Sequence, residues 1–236
     1  SGDNTYKKLL GTANTDWQKQ IYKTAIGNDN NISASGGIGN IPFRLSLGYL
    51  NQDGILKTDH FDRMSSALNL SPKFFDNHLS VEVAVKASRT TNRFADQGAI
   101  GSAVAFDPTQ PVYANNKYGG YYEWLQPDGK PIDLSTRNPL ALLNLRDNRS
   151  TVNRLIGNVQ LDYKLHFFPD LHVLTNLGID NASGSGNDNT DSVSATNYKT
   201  AGRYVHYEQK KKYTLAGVSL LYNKDIKSID SKLDVL

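Results

Sequence analysis

The sequence predicts an all-β protein: an antiparallel up-and-down meander that is part of a large transmembrane β-barrel, with one short N-terminal helix and long extracellular loops. Three observations carry this. Apolar and polar residues alternate over long segments, as where Ile41, Phe43, Leu45, Leu47 and Tyr49 interleave with Pro42, Arg44, Ser46 and Gly48. That period of two gives a strand one apolar face and one polar or small face. Connections between such segments alternate between short and long along the chain, as they do in outer-membrane barrels. No run of about 18 apolar residues exists that would cross a membrane as a helix.

Composition bounds the answer. The 236 residues suit one large all-β domain or two smaller ones. Only 38% are hydrophobic, which is low for a packed core of this size. A barrel accounts for that, because one face of each strand alone meets lipid. The net charge of +3 is small and evenly spread, so nucleic acid is not an expected partner. There is no cysteine, hence no disulfide. No signal peptide opens the chain. It does not begin with Met, and Lys232-Leu233-Asp234-Val235-Leu236 reads as the middle of a strand. The expectation is a piece of a longer protein.

Residues 1–27 are the helical connecting segment. Thr15-Asp16-Trp17-Gln18 fits a capping box with Thr15 as N-cap and Gln18 at N3. Trp17, Ile21 and Ala25 recur at helical spacing, and Gly27 supplies a stop. The partial barrel occupies 28–236. A first strand covers 30–35 and ends in Gly36-Gly37-Ile38-Gly39-Asn40, a turn rather than a phosphate loop, because no strand-then-helix context follows. A second covers 41–50, with Gln52-Asp53-Gly54 as turn chemistry. The third covers 61–71, and Ser71-Pro72 and Asp76-Asn77 punctuate the next turn. The fourth places Leu79, Val81, Val83, Val85 and Ala87 against Ser80, Glu82, Lys86 and Ser88. A fifth runs over 151–165, a sixth over 171–180 and a seventh over 201–223, before a turn at 225–230 and a last strand.

Residues 92–149 break this rhythm. A connection of that length is uncommon in a compact domain and is usually functional or disordered. It holds Tyr113, Tyr118, Tyr121, Tyr122, Trp124 and five prolines. Within it, 139–145 reads as a short helix with Asn138 as N-cap and Pro139 at N1. Residues 181–200 read as a polar loop. There, Gly184-Ser185-Gly186-Asn187-Asp188 with Asp191 resembles one copy of a calcium-binding repeat, but a flexible loop is the plainer reading.

In an antiparallel meander, alternate connections lie at opposite ends. The turns at 36–40, 71–78, 166–170 and 224–231 are short, and those at 51–60, 92–149 and 181–200 are longer. All the long ones therefore share one end. Tyr49, Phe74, Tyr163, Phe167 and Phe168 fall near strand ends, where an aromatic girdle would sit.

Several blocks resemble a family. Asn14-Thr15-Asp16-Trp17-Gln18, Ile32-Ser33-Ala34-Ser35-Gly36-Gly37, Leu47-Gly48-Tyr49-Leu50-Asn51-Gln52-Asp53-Gly54-Ile55 and Leu68-Asn69-Leu70 resemble, in order, the early barrel of SusC/RagA-type TonB-dependent outer-membrane transporters. Asn138-Pro139-Leu140-Ala141-Leu142, Asp147-Asn148 and the stretch 171–180 are similar to the same family. The resemblance implies a large barrel closed by an N-terminal plug, in the cell outer membrane. It implies a SusD-like lipoprotein partner, the TonB complex acting through the plug, and import of oligosaccharides or peptides. The plug and the remaining strands lie outside these residues, so transport needs more than this chain.

Enzyme motifs are missing: no G-x-S-x-G, Walker or zincin pattern occurs, and no cofactor is implied. His60, His78, His166, His172 and His206 lack metal-ligand spacing, and His166 and His172 read as interfacial or solvated. For ligand binding, the candidates are Tyr118, Tyr121, Tyr122 and Trp124, four aromatics within seven residues at the long-loop end. Aromatic rings offer apolar faces to sugar C–H groups while Tyr O–H and Trp N–H hydrogen-bond. Gln126-Pro127-Asp128-Gly129 is a turn that would present Trp124 at a loop tip. The plainer role is that these rings fold the loop on itself or against the lipoprotein partner. A second functional class fits the same alternation, a soluble β-sandwich carbohydrate-binding module. Polar inward positions, Arg44, Glu82, Lys86, Arg154, Gln160, Asp162 and Lys164, favour the barrel.

Overall fold

Among the described residues, the alternating segments build one sheet and no second sheet packs on it. The structure, a computed structural model, describes residues 9–226 and 230–236. Its strands are β1 (Gly27–Ile38), β2 (Ile41–Asp53), β3 (His60–Leu70), β4 (Lys73–Phe74), β5 (Leu79–Phe94), β6 (Arg146–Leu165), β7 (Phe168–Thr190), β8 (Arg203–Ile226) and β9 (Ser231–Val235). All nine form one antiparallel sheet in the order β1-β2-β3-β5-β6-β7-β8-β9, with the short β4 hairpinned onto β5. Each long strand thus pairs with its sequence neighbour, as a meander requires. A sandwich needs two packed sheets, so the β-sandwich alternative falls.

The strands outrun their sequence patterns. β7 has 23 residues and β8 has 24. Residues 181–190, read above as a flexible loop, continue β7, each paired with β6 and β8. Asp188 within it accepts from Arg146 Nε at 2.8 Å and Arg203 Nη1 at 3.1 Å. The N-terminal helix is shorter than expected. Helix α1 is Trp17–Ile21, capped by Asp16 rather than Thr15: its carboxylate accepts from Lys19 N. Tyr22 is already extended, Ala25 lies outside the helix, and Gly27 opens β1. The expected helical residues 1–8 lie outside the described ones, as do 227–229 of the expected last turn. The Thr15 hydroxyl instead donates to Gln110 O, 2.7 Å away.

Turn lengths sort by end. β1 and β2 are joined by Gly39-Asn40, where Gly39 takes the positive φ of 60° that a two-residue hairpin needs. β6 and β7 are joined by His166-Phe167. Longer connections, 54–59, 95–145 and 191–202, gather at the other end.

Register arranges side chains into rows. Across one face, Phe43, Leu70, Val83, Val159, Leu177 and Ala216 sit opposite one another from β2 to β8. The row above holds Leu45, Leu68, Val85, Gly157, Ile179 and Thr214. Five successive rows, from the one with Leu47, Ala87 and Leu155 down to the one with Leu79, Tyr163, Val173 and Leu220, are dominated by apolar residues. At about 3.3 Å per residue and a tilt of about 40°, they stand about 20 Å tall from first row to last, close to the height of a lipid-facing band. Tyr49 tops the band, while Tyr163 and the stacked pair Phe168–Tyr222 lie at its foot. These side chains are left open: Leu47 is 49% exposed, Leu177 45% and Val218 71%.

Every expected inward position (Arg44, Glu82, Lys86, Arg154, Gln160, Asp162 and Lys164) lies on the opposite face by strand parity. Arg154 makes a forked bond there to Asp180, at 2.9 and 2.6 Å. His172 lies on this face too, 9% exposed and 2.6 Å from Asp162, rather than at an interface. Ser33, Ser46, Gly48, Ser65 and Ser88 leave a hollow of about 520 Å3 beside Arg44, Arg63 and Lys86.

Candidate functional site

The buried core of this chain is in its loops. Trp17, Ile21, Leu56, Ala99, Ala103, Phe106 and Leu143 form one cluster, each less than a tenth exposed. Tyr121, Leu140 and Ala141 form a second. None belongs to a long strand. They come from α1, the 54–59 turn, two helices inside the long connection, α2 (Gly98–Ala105) and α3 (Pro139–Asn144), and the stretch between those helices that holds Phe106 and Tyr121. Together they make a folded cap at the long-loop end of the sheet.

Local chemistry explains how these pieces fold. α3 starts where the sequence placed it. The Asn138 side chain, fully buried, accepts from Leu140 N and Ala141 N at 3.0 and 3.2 Å, and Pro139 occupies N1. Its amide also donates to Val112 O and Tyr122 O, so one side chain ties α3 to two passing strands of loop. The helix α2 was not legible in the sequence. Its small apolar run GAIGSAVA has no side-chain cap, and it is helical because Ala99 and Ala103 pack flush on α1 and α3. The chain before β1 is stitched to the loop: Ala13 N and Thr15 N donate to Thr109 O and Pro108 O, and Trp17 Nε1 donates to Asp107 O at 3.0 Å. Asp107 turns its carboxylate to Thr109 N, and that backbone amide holds it below the usual carboxylate range. Arg146, bridging Asp96 and Asp188, bolts the cap's first and last residues to β7.

The four aromatic candidates all lie in this cap, but not alike. Tyr118 is 4% exposed, and its hydroxyl donates to Gly129 O at 3.0 Å. Tyr121 is 8% exposed, and its hydroxyl accepts from Asn144 Nδ2 at 3.0 Å. Both are part of the fold. Tyr122 and Trp124 are half-buried and packed edge to face, centroids 5.4 Å apart, against Phe106. The 126–129 turn forms, with Gly129 N donating to Gln126 O, but Trp124 folds back on Phe106 rather than standing at its tip. Apolar side chains that do stand outward are Val104, Tyr113 and Leu134, at 73%, 61% and 99%.

One buried acid was missed. Glu123 is 5% exposed between Tyr122 and Trp124. Oε1 accepts from Asn138 N at 3.2 Å, and Oε2 has no partner. Burial pushes its carboxyl up to about 7, against the pull of the Asn138 amide and the Arg137 guanidinium. Its place between two aromatics in an amphipathic-looking stretch gave no signal of burial. Among the described residues, no group of three or more His, Asp or Glu is placed to share a metal ion.

Comparison with known proteins gives this geometry a context. No protein-family model matches the chain. It is 44% identical over 190 residues to the TonB-dependent receptor SusC of Bacteroides thetaiotaomicron, across 75% of this chain and 19% of that receptor. It is 30% identical over 150 residues to TonB-dependent receptor P26 of Formosa agariphila, across 64% of this chain and 14% of that receptor. Among solved structures, the RagAB peptide importer in its closed-closed state superposes with a TM-score of 0.66 at 19% identity, covering 92% of this chain and 24% of that one. That second likeness is one of fold. The chain spans about a fifth of the length of the first relative.

Proposed function

Since this chain is part of a SusC/RagA-type TonB-dependent receptor barrel, we propose that the whole protein is an active importer of nutrients in the cell outer membrane. The observation that carries the reading is the division of labour in the sheet. One face is an open apolar band about 20 Å tall, the other is polar, and the hydrophobic core sits in loops above. The cargo we infer is an oligosaccharide or a peptide. A SusD-like lipoprotein would seat on the loop end, and the TonB complex would act through a plug outside these residues. Support comes from the 44% relative, named a TonB-dependent receptor, and from the fold neighbour, named a peptide importer. No catalytic role is inferred.

Within the cap, Tyr122 and Trp124 are the proposed ligand contacts, because each keeps part of its ring open while Tyr118 and Tyr121 are buried in the fold. The test is uptake by cells whose full receptor gene is deleted and then restored. Labelled oligosaccharides and peptides are supplied separately. Restoration of uptake of one class supports the reading, and no uptake defect for either class on deletion overturns it. Trp124→Ala is expected to weaken cargo binding while lipoprotein association persists. Unchanged affinity removes this loop from the site.

A further inference from the structure

The sheet's outer face carries a second feature at the upper border of its apolar band. A groove of about 1270 Å3 crosses seven strands there, from β1 to β8. Its lower wall is the last apolar row, with Ile32, Leu47 and Leu155. Its upper wall is the next outward row, in which Tyr49, Met64, Arg89, Asn153, Ser183 and Lys210 stand opposite one another. The floor is the backbone of the row between them, Gly48, Ser65, Ser88, Arg154 and Lys211, whose side chains belong to the other face. Lys212 closes the lower row on β8.

Charge in this region is sorted. The outward acids above the groove already have partners. Asp53 holds Lys23 and His60 at 3.0 and 2.8 Å, Asp62 holds His60 at 2.9 Å, Asp147 holds Arg93 and Arg149 at 3.0 and 2.9 Å, and Glu208, one outward row above Lys210 on β8, lies 3.5 Å from His206. Arg89, Lys210 and Lys212 are exposed and make no hydrogen bond or ion pair among the described residues. On the outer face, then, the cations without partners are those nearest the apolar band, and the acids around them have partners of their own.

We propose that this groove binds the phosphate-bearing headgroup of an anionic lipid in the leaflet at the long-loop end. This rests on the barrel reading above, which makes the outer face lipid-facing. Acyl chains would lie over Leu47, Leu155 and the rows beneath. The headgroup would enter the groove, with phosphate oxygens accepting from the Arg89 guanidinium and the Lys210 and Lys212 ammonium groups. Arg presents a fork suited to phosphate, and basic residues at a membrane border each attract anionic lipid. Strand spacing sets the separation: Arg89 and Lys210 are three strands apart, about 14 Å, room for one disaccharide headgroup with a phosphate at each end.

The test uses the full receptor in nanodiscs of zwitterionic lipid. The probes are lipid A carrying two phosphates, the same lipid with both phosphates removed, and inorganic phosphate. The wild-type receptor is expected to retain the bisphosphorylated lipid over the dephosphorylated one. Replacing Arg89, Lys210 and Lys212 together with Ala should weaken that retention about fivefold per charge, about a hundredfold in all, and flatten its dependence on salt. The charge-keeping set Arg89→Lys, Lys210→Arg and Lys212→Arg should retain it, and shows that loss in the Ala set is not misfolding. Heat-resistant gel mobility of each variant checks the barrel directly. Equal retention of the two lipids by wild type overturns the proposal, as does an unchanged preference in the Ala set. Competition by inorganic phosphate as strong as by the lipid reassigns the groove to free phosphate and overturns it too. A receptor found in the outer-membrane fraction with no phosphate preference sinks this site alone. A receptor absent from that fraction sinks the barrel reading.

Discussion

Glu123 is where the cap is most sensitive to its surroundings. Its carboxyl sits at about 7 in the folded cap, raised from 4.5 by burial. The folded state therefore keeps a proton that the unfolded loop releases. That contribution is complete below about pH 4.5 and is lost as pH rises to about 7, a swing of about 3 kcal/mol. Amide protection factors of residues 112–124 and 138–145 in the full receptor, each taken relative to the intrinsic exchange rate at that pH, should be lower at pH 8 than at pH 5. Glu123→Gln keeps the acceptor for Asn138 N and should flatten that difference. An unaltered pH slope in the variant would show that another group is responsible. Asn138→Ala removes a cap and two loop ties at once, and leaves the half-buried Tyr122 carbonyl without its Asn138 donor. It should destabilise the cap by about 2–4 kcal/mol, read as faster proteolytic cleavage within 95–145. Asn138 was legible because Asn-Pro before Leu-Ala-Leu-Leu is a helix start whatever surrounds it. Glu123 was not, since its burial depends on Asn138 and Arg137 arriving from 14 or 15 residues away. Nor were the separate fates of Tyr118 and Trp124, which adjacency in sequence cannot distinguish.

At the level of elements, what alternates was readable and what does not was lost. β2 and β5 follow directly from their apolar rows. Residues 181–190 failed because both faces of β7 there are Gly, Ser, Asn and Asp, lying beyond the lipid band where neither face needs to be apolar. Strand pairing on two sides, not side-chain pattern, makes that segment extended. α2 failed for a related reason: its helix is imposed by packing on α1 and α3. The faces themselves can be tested by neighbouring substitutions in β5. Val83 lies mid-band on the outer face and Ala84 on the inner one. Val83→Arg should destabilise the receptor by about 2–4 kcal/mol in bilayer refolding titrations, and Ala84→Arg by well under half of that. Equal penalties would mean the two faces are misassigned.

For the whole molecule, the open band and the open edges decide behaviour outside a bilayer. β1 offers one unpaired edge, and β9 covers β8 only at Tyr222–Ile226. An apolar face of this extent, with exposed edges, is far beyond what soluble monomers tolerate. The chain expressed alone should sediment as large aggregates in plain buffer and disperse in detergent; a monodisperse monomer without detergent would contradict the assignment of faces. The meander was legible because loop lengths and strand parity both follow from sequence order, whereas the cap joins residues nearly a hundred positions apart. The inner face has one more implication. Its hollow is walled by Ser33, Ser46, Ser65, Ser88 and the bare backbone of Gly48. The floor of that hollow has few protrusions, with Arg44, Arg63 and Lys86 at its margin, and its hydroxyls hold water well. Adhesion there would be carried by exchangeable water bridges rather than by keyed side chains. It would behave as a wet bearing, giving low friction to whatever fills the lumen and yielding to a modest mechanical pull.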